Sequence, residues 1–210
     1  MLKTGISPRS RVLSIGCGIG DTEILLAPHA REVVGIDLSP TAVTVANRDA
    51  ALKGVANFRA WETTLDEFDD GRFDVIIGIF FLHHLTDSML LACANRVHAL
   101  LRPGGIFYSL DPSRYRLSGW VGQWLFPSLM AQYQTDDERQ LAPALAASFF
   151  APPKFDTRMS YYDFVSTPLA GILPAWRRTY LATRAADEIL TRTPGLRHLS
   201  SNFELTAIRT

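Results

Sequence analysis

The sequence predicts an α/β fold, a mostly parallel sheet wound with helices on both faces. Three observations predict it. Strand-like and helix-like segments alternate through the first half of the chain. The run "VIIGIFFL" (75–82) is apolar without interruption, as a strand covered on both faces must be. Three glycines crowd the turn behind the first apolar run, in "VLSIGCGIGD" (12–21), where something must approach the backbone closely.

The elements follow in order. "RVLSIG" (11–16) reads as the first strand and "DTEILLAPHA" (21–30) as a short helix. "EVVGID" (32–37) is a second strand ending in an acid. The helix after it begins with Ser39 as N-cap and Pro40 at its first position, and stops at Gly54. "ANFRAW" (56–61) is a shorter strand, and "RFDVIIGIFF" (72–81) is the central one. "SMLLACANRVHALLRPGG" (88–105) is a helix closed by Pro103-Gly104-Gly105, and "GIFYSLD" (105–111) is the fifth strand. The rhythm then breaks. Residues 112–155 read as a helical insertion within a single domain spanning 1–210. "MSYYDFVS" (159–166) is expected to return to the sheet, "AWRRTYLATRAADEILTRT" (175–193) to form a helix, and "NFELTAIR" (202–209) to be the last strand.

In sheets of this kind ligands gather at the carboxyl ends of the strands, near the point where strand order reverses. Gly16 to Gly20, Asp37, Trp61 and Glu62, Phe81 to His84, and Asp111 all fall at such ends. The site is expected there.

Composition narrows the partners. The 21 basic and 21 acidic residues cancel, so no overall field draws the chain to nucleic acid or anionic lipid. No apolar run approaches the ~20 residues of a membrane span, and "MLKTGISPRS" has no secretory apolar region. The two cysteines, Cys17 and Cys93, form no C-x-x-C pair. A reduced cytoplasmic protein without disulfides is expected.

The glycine turn has the spacing G-x-G-x-G. A dinucleotide pyrophosphate wants G-x-G-x-x-G, but Asp21 stands at the third such position and Gly20 comes one residue early. An acid there disfavours a pyrophosphate at the helix N-terminus and suits a cationic ligand. S-adenosylmethionine has no phosphate and carries a sulfonium. Asp37, acceptor-only when ionised, can take both hydroxyls of a ribose.

The motifs "VLSIGCGIGDTE", "VVGIDLSP", "FDVIIGIFFLHHL" and "LLRPGGIFYSLDP", spanning about 11–112, resemble class I S-adenosylmethionine-dependent methyltransferases of the small-molecule "methyltransferase domain 11" type. The resemblance implies a Rossmann-like, doubly wound, seven-stranded sheet whose last strand is antiparallel. It implies that Gly16, Cys17, Gly18 and Gly20 line the cofactor, that Asp37 binds the ribose hydroxyls, and that Leu38 packs on adenine. It puts Glu62 near the adenine amine, with Trp61 a candidate cover for the ring, and the backbone at Ile79 beside the methionine end. Many relatives carry an acid two residues before the first glycine; this chain has Ser14, a hydroxyl without charge.

Methyl transfer is an in-line displacement, so the protein must align the acceptor and, for a hydroxyl, remove its proton. His84 and His83 follow the fourth strand, and histidine has the pKa for a base at neutral pH. Asp111, ending the next strand, can orient either one. His98 lies in a helical pattern and reads as structural, while Tyr115 and Tyr133 are candidate hydroxyl contacts. No [D/N/S]-P-P-[Y/F] turn or Pro-Cys nucleophile marks a nucleic-acid enzyme, and no metal-ligand spacing is present. The apolar stretch "GWVGQWLFPSLMAQY" (119–133) makes 112–155 the candidate lid and points to a hydrophobic or ring-bearing small-molecule acceptor. Trp120 and Trp124 leave open peripheral membrane contact. The expected function is O-methylation of a small molecule; the alternatives are a nicotinamide-dependent oxidoreductase and a non-catalytic binder of the same cofactor.

Overall fold

A computed structural model describes residues 4–117, 119, 124, 141–164 and 177–210. Seven strands form one sheet: β1 (Arg11–Ile15), β2 (Glu32–Asp37), β3 (Phe58–Glu62), β4 (Phe73–Ile79), β5 (Leu101–Pro112), β6 (Phe155–Tyr162) and β7 (Asn202–Arg209). Their order is β3-β2-β1-β4-β5-β7-β6. Strands β1 to β5 pair in parallel, and β7 runs antiparallel to both β5 and β6. This is a doubly wound, Rossmann-like sheet of seven strands with an antiparallel last strand, as expected. The order reverses between β1 and β4, so the crevice expected of a ligand site opens where these two strands end.

Alternation along each strand splits the core in two. Leu13, Ile15, Val34, Ile36 and Ile76 face one side, under α3 (Asp87–Leu100) and α4 (Pro143–Phe149). Val12, Val33, Val75 and Ile77 face the other, packed by α1 (Asp21–Leu26) and α2 (Pro40–Leu52). A further helix, α5 (Arg177–Arg192), precedes β7. Ser39 caps α2 by accepting from Ala42 N, as its position before Pro40 predicts.

Several boundaries move. β3 begins at Phe58 and includes Glu62, one residue beyond the expected end. β5 begins at Leu101, not Gly105, because Leu101 already pairs with Phe73. The Pro103-Gly104-Gly105 segment is therefore an irregularity inside the strand rather than the stop of α3. A Cβ on Gly105 would stand 2.8 Å from Arg102 O and 3.1 Å from Asp74 O, which explains the glycine. The returning strand lies four residues earlier than expected, because Phe155 is fully buried beside Phe150, whose ring stacks on Phe107 at 4.6 Å.

Candidate functional site

The glycine turn joins β1 to α1 with Gly16, Gly18 and Gly20 all at positive φ (67°, 51° and 80°). Gly16 N and Cys17 N donate to Ile36 O, which ties the turn to the end of β2. The three glycines are glycine for different reasons. A Cβ on Gly20 would stand 2.9 Å from the Phe58 ring and 3.0 Å from Ala46, so packing of α1 onto the sheet demands it. At Gly16 the obstacle is the Phe81 ring, at 2.9 Å. At Gly18 nothing lies within 4 Å, and that position faces open space. Cys17 turns its thiol into the core against Gly35, where burial first, then Glu23 and Asp37, push its pKa up to about 12. Only its backbone stays at the turn.

Asp37 closes β2 beside this turn. Its Oδ2 accepts from Gly18 N at 2.8 Å and its Oδ1 from Ser39 N at 2.9 Å. Each oxygen keeps a second acceptor direction. A cleft of about 520 Å³ opens here, lined by Gly16, Asp37 and the 71% exposed Leu38 among others. Glu62 pairs with Asp37 in register, yet neither Trp61 nor Glu62 lines the cleft. The wall at β3 is made instead by Thr63 to Asp66, four residues the sequence reading stopped short of. Trp61 is half-exposed, with the Arg59 guanidinium 5.8 Å from its ring centre.

Ile79 ends β4 without lining the cleft; Phe80 and Phe81 do so, Phe80 with the left-handed φ of 53°. Leu85 and Met89 carry the apolar wall onto α3. The two histidines that follow β4 separate. His83 is buried and its Nδ1 lies 3.0 Å from Asp111 Oδ1, which also accepts from His83 N at 3.2 Å. Ser109 donates to the other oxygen of Asp111, which is fully buried. His84 is exposed and lines the cleft, with its ring centre 4.1 Å from that of His83. Asp111 thus pairs with His83 rather than with the outer histidine.

One feature escaped the sequence reading. Ser14 Oγ donates to Glu23 Oε1 at 2.6 Å, and both residues are buried. Among the described residues, Glu23 Oε2 is buried with no hydrogen-bond partner. Burial raises the Glu23 pKa; the Ser14 hydroxyl and the Glu23 backbone oppose this, while Asp21 and Asp37 add to it. Ser14, read alone as an uncharged stand-in for an acid, is therefore one half of a pair with an acid.

The remaining candidates lie apart. His98 is set edge-on to Phe155 at 5.5 Å, and partial burial, then Arg209, Lys154 and Arg72, lower its pKa. His198 Nδ1 meets Tyr161 OH at 2.7 Å. Tyr115 is exposed, as is Trp124; Trp120, Phe126, Met130 and Tyr133 lie outside the described residues. Among the described residues no group of three or more histidine, cysteine or acidic side chains is placed to hold a metal, and no helix is long and apolar enough to cross a membrane.

Residues 12–105 match the family described as a methyltransferase domain. An uncharacterized methyltransferase of Synechocystis sp. is 32% identical over 136 residues, 65% of this chain and 62% of that protein. A ubiquinone biosynthesis O-methyltransferase of Coxiella burnetii is 34% identical over 102 residues, 47% of this chain and 42% of its own. The chain thus spans about half the length of these curated relatives. The crystal structure of magnesium protoporphyrin IX methyltransferase from Synechocystis PCC 6803 with bound SAH superposes with a TM-score of 0.64 at 16% identity, covering 97% of this chain and 75% of that one.

Proposed function

We propose that this chain is a methyltransferase of the family that its residues 12–105 match, and that it binds S-adenosylmethionine and methylates a hydroxyl of a small-molecule acceptor. The observation that carries the reading is the contact between Asp37 and Gly18 N, which fixes a carboxylate beside an open glycine turn at the mouth of a cleft. The residues fit the cofactor. Both Asp37 oxygens retain acceptor capacity for the two ribose hydroxyls, and Gly18 leaves room for a ligand to lie along the backbone. They fit a pyrophosphate poorly, since α1 carries Asp21 and Glu23 in its first turn, where phosphate charge would be repelled. Leu38 and Leu85 in the cleft wall offer apolar contacts to an adenine, and Asp66 in the same wall offers a carboxylate to its amine, while Glu62 stands outside the wall.

When bound, the cofactor supplies a methyl group already activated by the sulfonium. The chain must bring the acceptor oxygen in line and remove its proton. We assign the proton to His83, which is buried behind the cleft wall with its ring centre 4.1 Å from that of the wall residue His84. Asp111 accepts from Nδ1–H, so the neutral ring presents Nε2 as the proton acceptor, and the carboxylate then stabilises the imidazolium that forms. His84, in the cleft wall, is assigned to acceptor contact. Within 112–155, residues 117–133 are assigned to covering a hydrophobic or ring-bearing acceptor, on the apolar and aromatic character of their sequence, since Pro112 and Phe155 belong to the sheet and Pro143–Phe149 packs on it as α4. Named O-methyltransferases among the relatives support hydroxyl as the target.

Calorimetric titration with S-adenosylhomocysteine and with NAD tests the cofactor. Binding of the first and not the second is expected; the reverse overturns the reading in favour of an oxidoreductase. Consumption of S-adenosylmethionine in a screen of hydroxyl-bearing aromatic acceptors tests the chemistry. Cofactor binding with no turnover of any acceptor class would leave a binding domain instead. Deleting 117–133 is expected to abolish turnover and change S-adenosylhomocysteine affinity no more than a few-fold.

A further inference from the structure

We infer that Glu23 is the counter-charge for the ammonium end of the cofactor, a positioning residue acting from beneath the glycine turn; this rests on the cofactor reading above. Glu23 is 2% exposed, and one of its oxygens is held by Ser14 while the other has no partner among the described residues. A buried carboxylate oxygen without a donor is costly and requires a compensating gain. The groups around it supply none. Asp21 on its own helix and Asp37 at the end of β2 are both negative and both disfavour its ionisation. The Cys17 thiol in the turn brings no positive charge, and its pKa is raised by burial first and then by Glu23 and Asp37. What the arrangement lacks is a positive charge.

The cofactor's α-amino group is such a charge, and the turn that separates it from Glu23 is thin. Gly16 and Gly18 bring no side chains between the two, and Cys17 folds its own inward. A cation lying along the Gly18 backbone would face Glu23 across the turn, and the buried carboxylate has little solvent to screen that attraction. The charge that Ser14 lacks on β1 is thus delivered by α1, with the Ser14 hydroxyl orienting the carboxylate. A bound cation favours ionised Glu23. Affinity is therefore full above the pKa of Glu23 in the free protein and falls as pH drops through it.

The test compares two ligands on the wild-type chain and on Glu23→Gln, which keeps the Ser14 contact and the shape. S-adenosylhomocysteine carries the amino-acid end; 5′-methylthioadenosine does not. Glu23→Gln is expected to weaken S-adenosylhomocysteine roughly tenfold, the size of one partly screened charge pair, and to flatten its dependence on pH. Its affinity for 5′-methylthioadenosine is expected to match wild type. The double variant Ser14→Asp with Glu23→Ser returns the charge to β1 and is expected to regain most of the loss. Equal weakening of both ligands, or no weakening of either, overturns the inference and leaves the cofactor reading standing. If the wild-type chain binds neither ligand, the cofactor reading fails and this inference falls with it.

Discussion

Two corners of the same sheet edge are built on opposite plans. Where β1 and β2 end, Asp37 is held by two backbone N–H groups and keeps its remaining acceptor directions outward, beside a glycine that faces open space. Where β4 and β5 end, Asp111 is fully buried and directs its oxygens inward, to His83 and Ser109. The first corner is made mostly of main chain, so it dictates residue types narrowly and is organised before any ligand arrives. The second is made of side chains that also tie adjacent strands together. Chemistry at the second corner can therefore be altered without disturbing the first, and substitutions should separate binding from turnover along that line.

The largest effects come from the glycine turn, and two glycines two residues apart should fail differently. Gly18→Val and Gly20→Val both impose about 1–3 kcal/mol of left-handed backbone strain. At Gly20 the new side chain also meets Phe58 and Ala46, so loss of the folded state is expected by circular dichroism. At Gly18 it meets only open space, so the chain should stay folded while calorimetry shows no S-adenosylhomocysteine binding. A folded Gly18→Val chain with wild-type affinity would remove the turn from the ligand site.

Next in size are the base and its partner. His83→Ala is expected to lower kcat by ~10²–10⁴-fold, the usual contribution of a positioned base, with S-adenosylhomocysteine affinity unchanged. Asp111→Asn should have a smaller effect in the same direction, because it orients the ring without taking the proton. If His84→Ala carries the larger loss, the buried pair only ties β4 to β5 and the outer histidine is the base. At the first corner, Asp37→Ala should cost roughly 2–3 kcal/mol of S-adenosylhomocysteine affinity, the value of charged hydrogen bonds. An unchanged dissociation constant there would break the contrast between the corners.

The first corner was the more legible in the sequence. Its groups follow from local rules: glycines at a strand end, and an acid closing the next strand in register. The order of elements was legible for the same reason, since each segment shows its own periodicity, whereas the antiparallel direction of β7 was implied only by the family resemblance. What was not legible depended on contacts between segments. Trp61 and Glu62 were favoured over Thr63 to Asp66 because β3 ends one residue later than its apolar pattern suggests. The start of β6 at Phe155 reflects burial beside Phe150, a partner no short window contains. That Asp111 meets His83 and not His84 depends on the 3-10 turn Leu82–His84, which buries the first ring and leaves the second exposed although the two ring centres lie 4.1 Å apart. Glu23 was invisible as a partner of Ser14 because the two stand nine positions apart with a left-handed turn between them.

The smallest expected effect concerns stability at the first corner and isolates the cost of Glu23. Its pKa is raised in the folded protein, chiefly by burial, above the ordinary 4.5. The folded state therefore binds this proton more tightly than the unfolded chain does. The resulting stability is fully present below the unfolded pKa and is lost as pH rises through the folded one. Once pH exceeds the raised pKa, the carboxylate without ligand is ionised, buried and, among the described residues, unpartnered at one oxygen. Glu23→Gln removes that charge, so the variant should be more stable than wild type at pH 8, by about 1 kcal/mol on the scale of one uncompensated buried polar atom. Thermal unfolding across pH 4 to 8 should show the gap closing toward pH 4, where wild type is protonated as well. Saturating S-adenosylhomocysteine at pH 8 should reverse the order, because the ligand stabilises the chain that binds it more tightly. A variant less stable than wild type at pH 8 without ligand would mean that the Glu23 charge is already compensated in the free protein. The electrostatic contrast between the corners would then be lost.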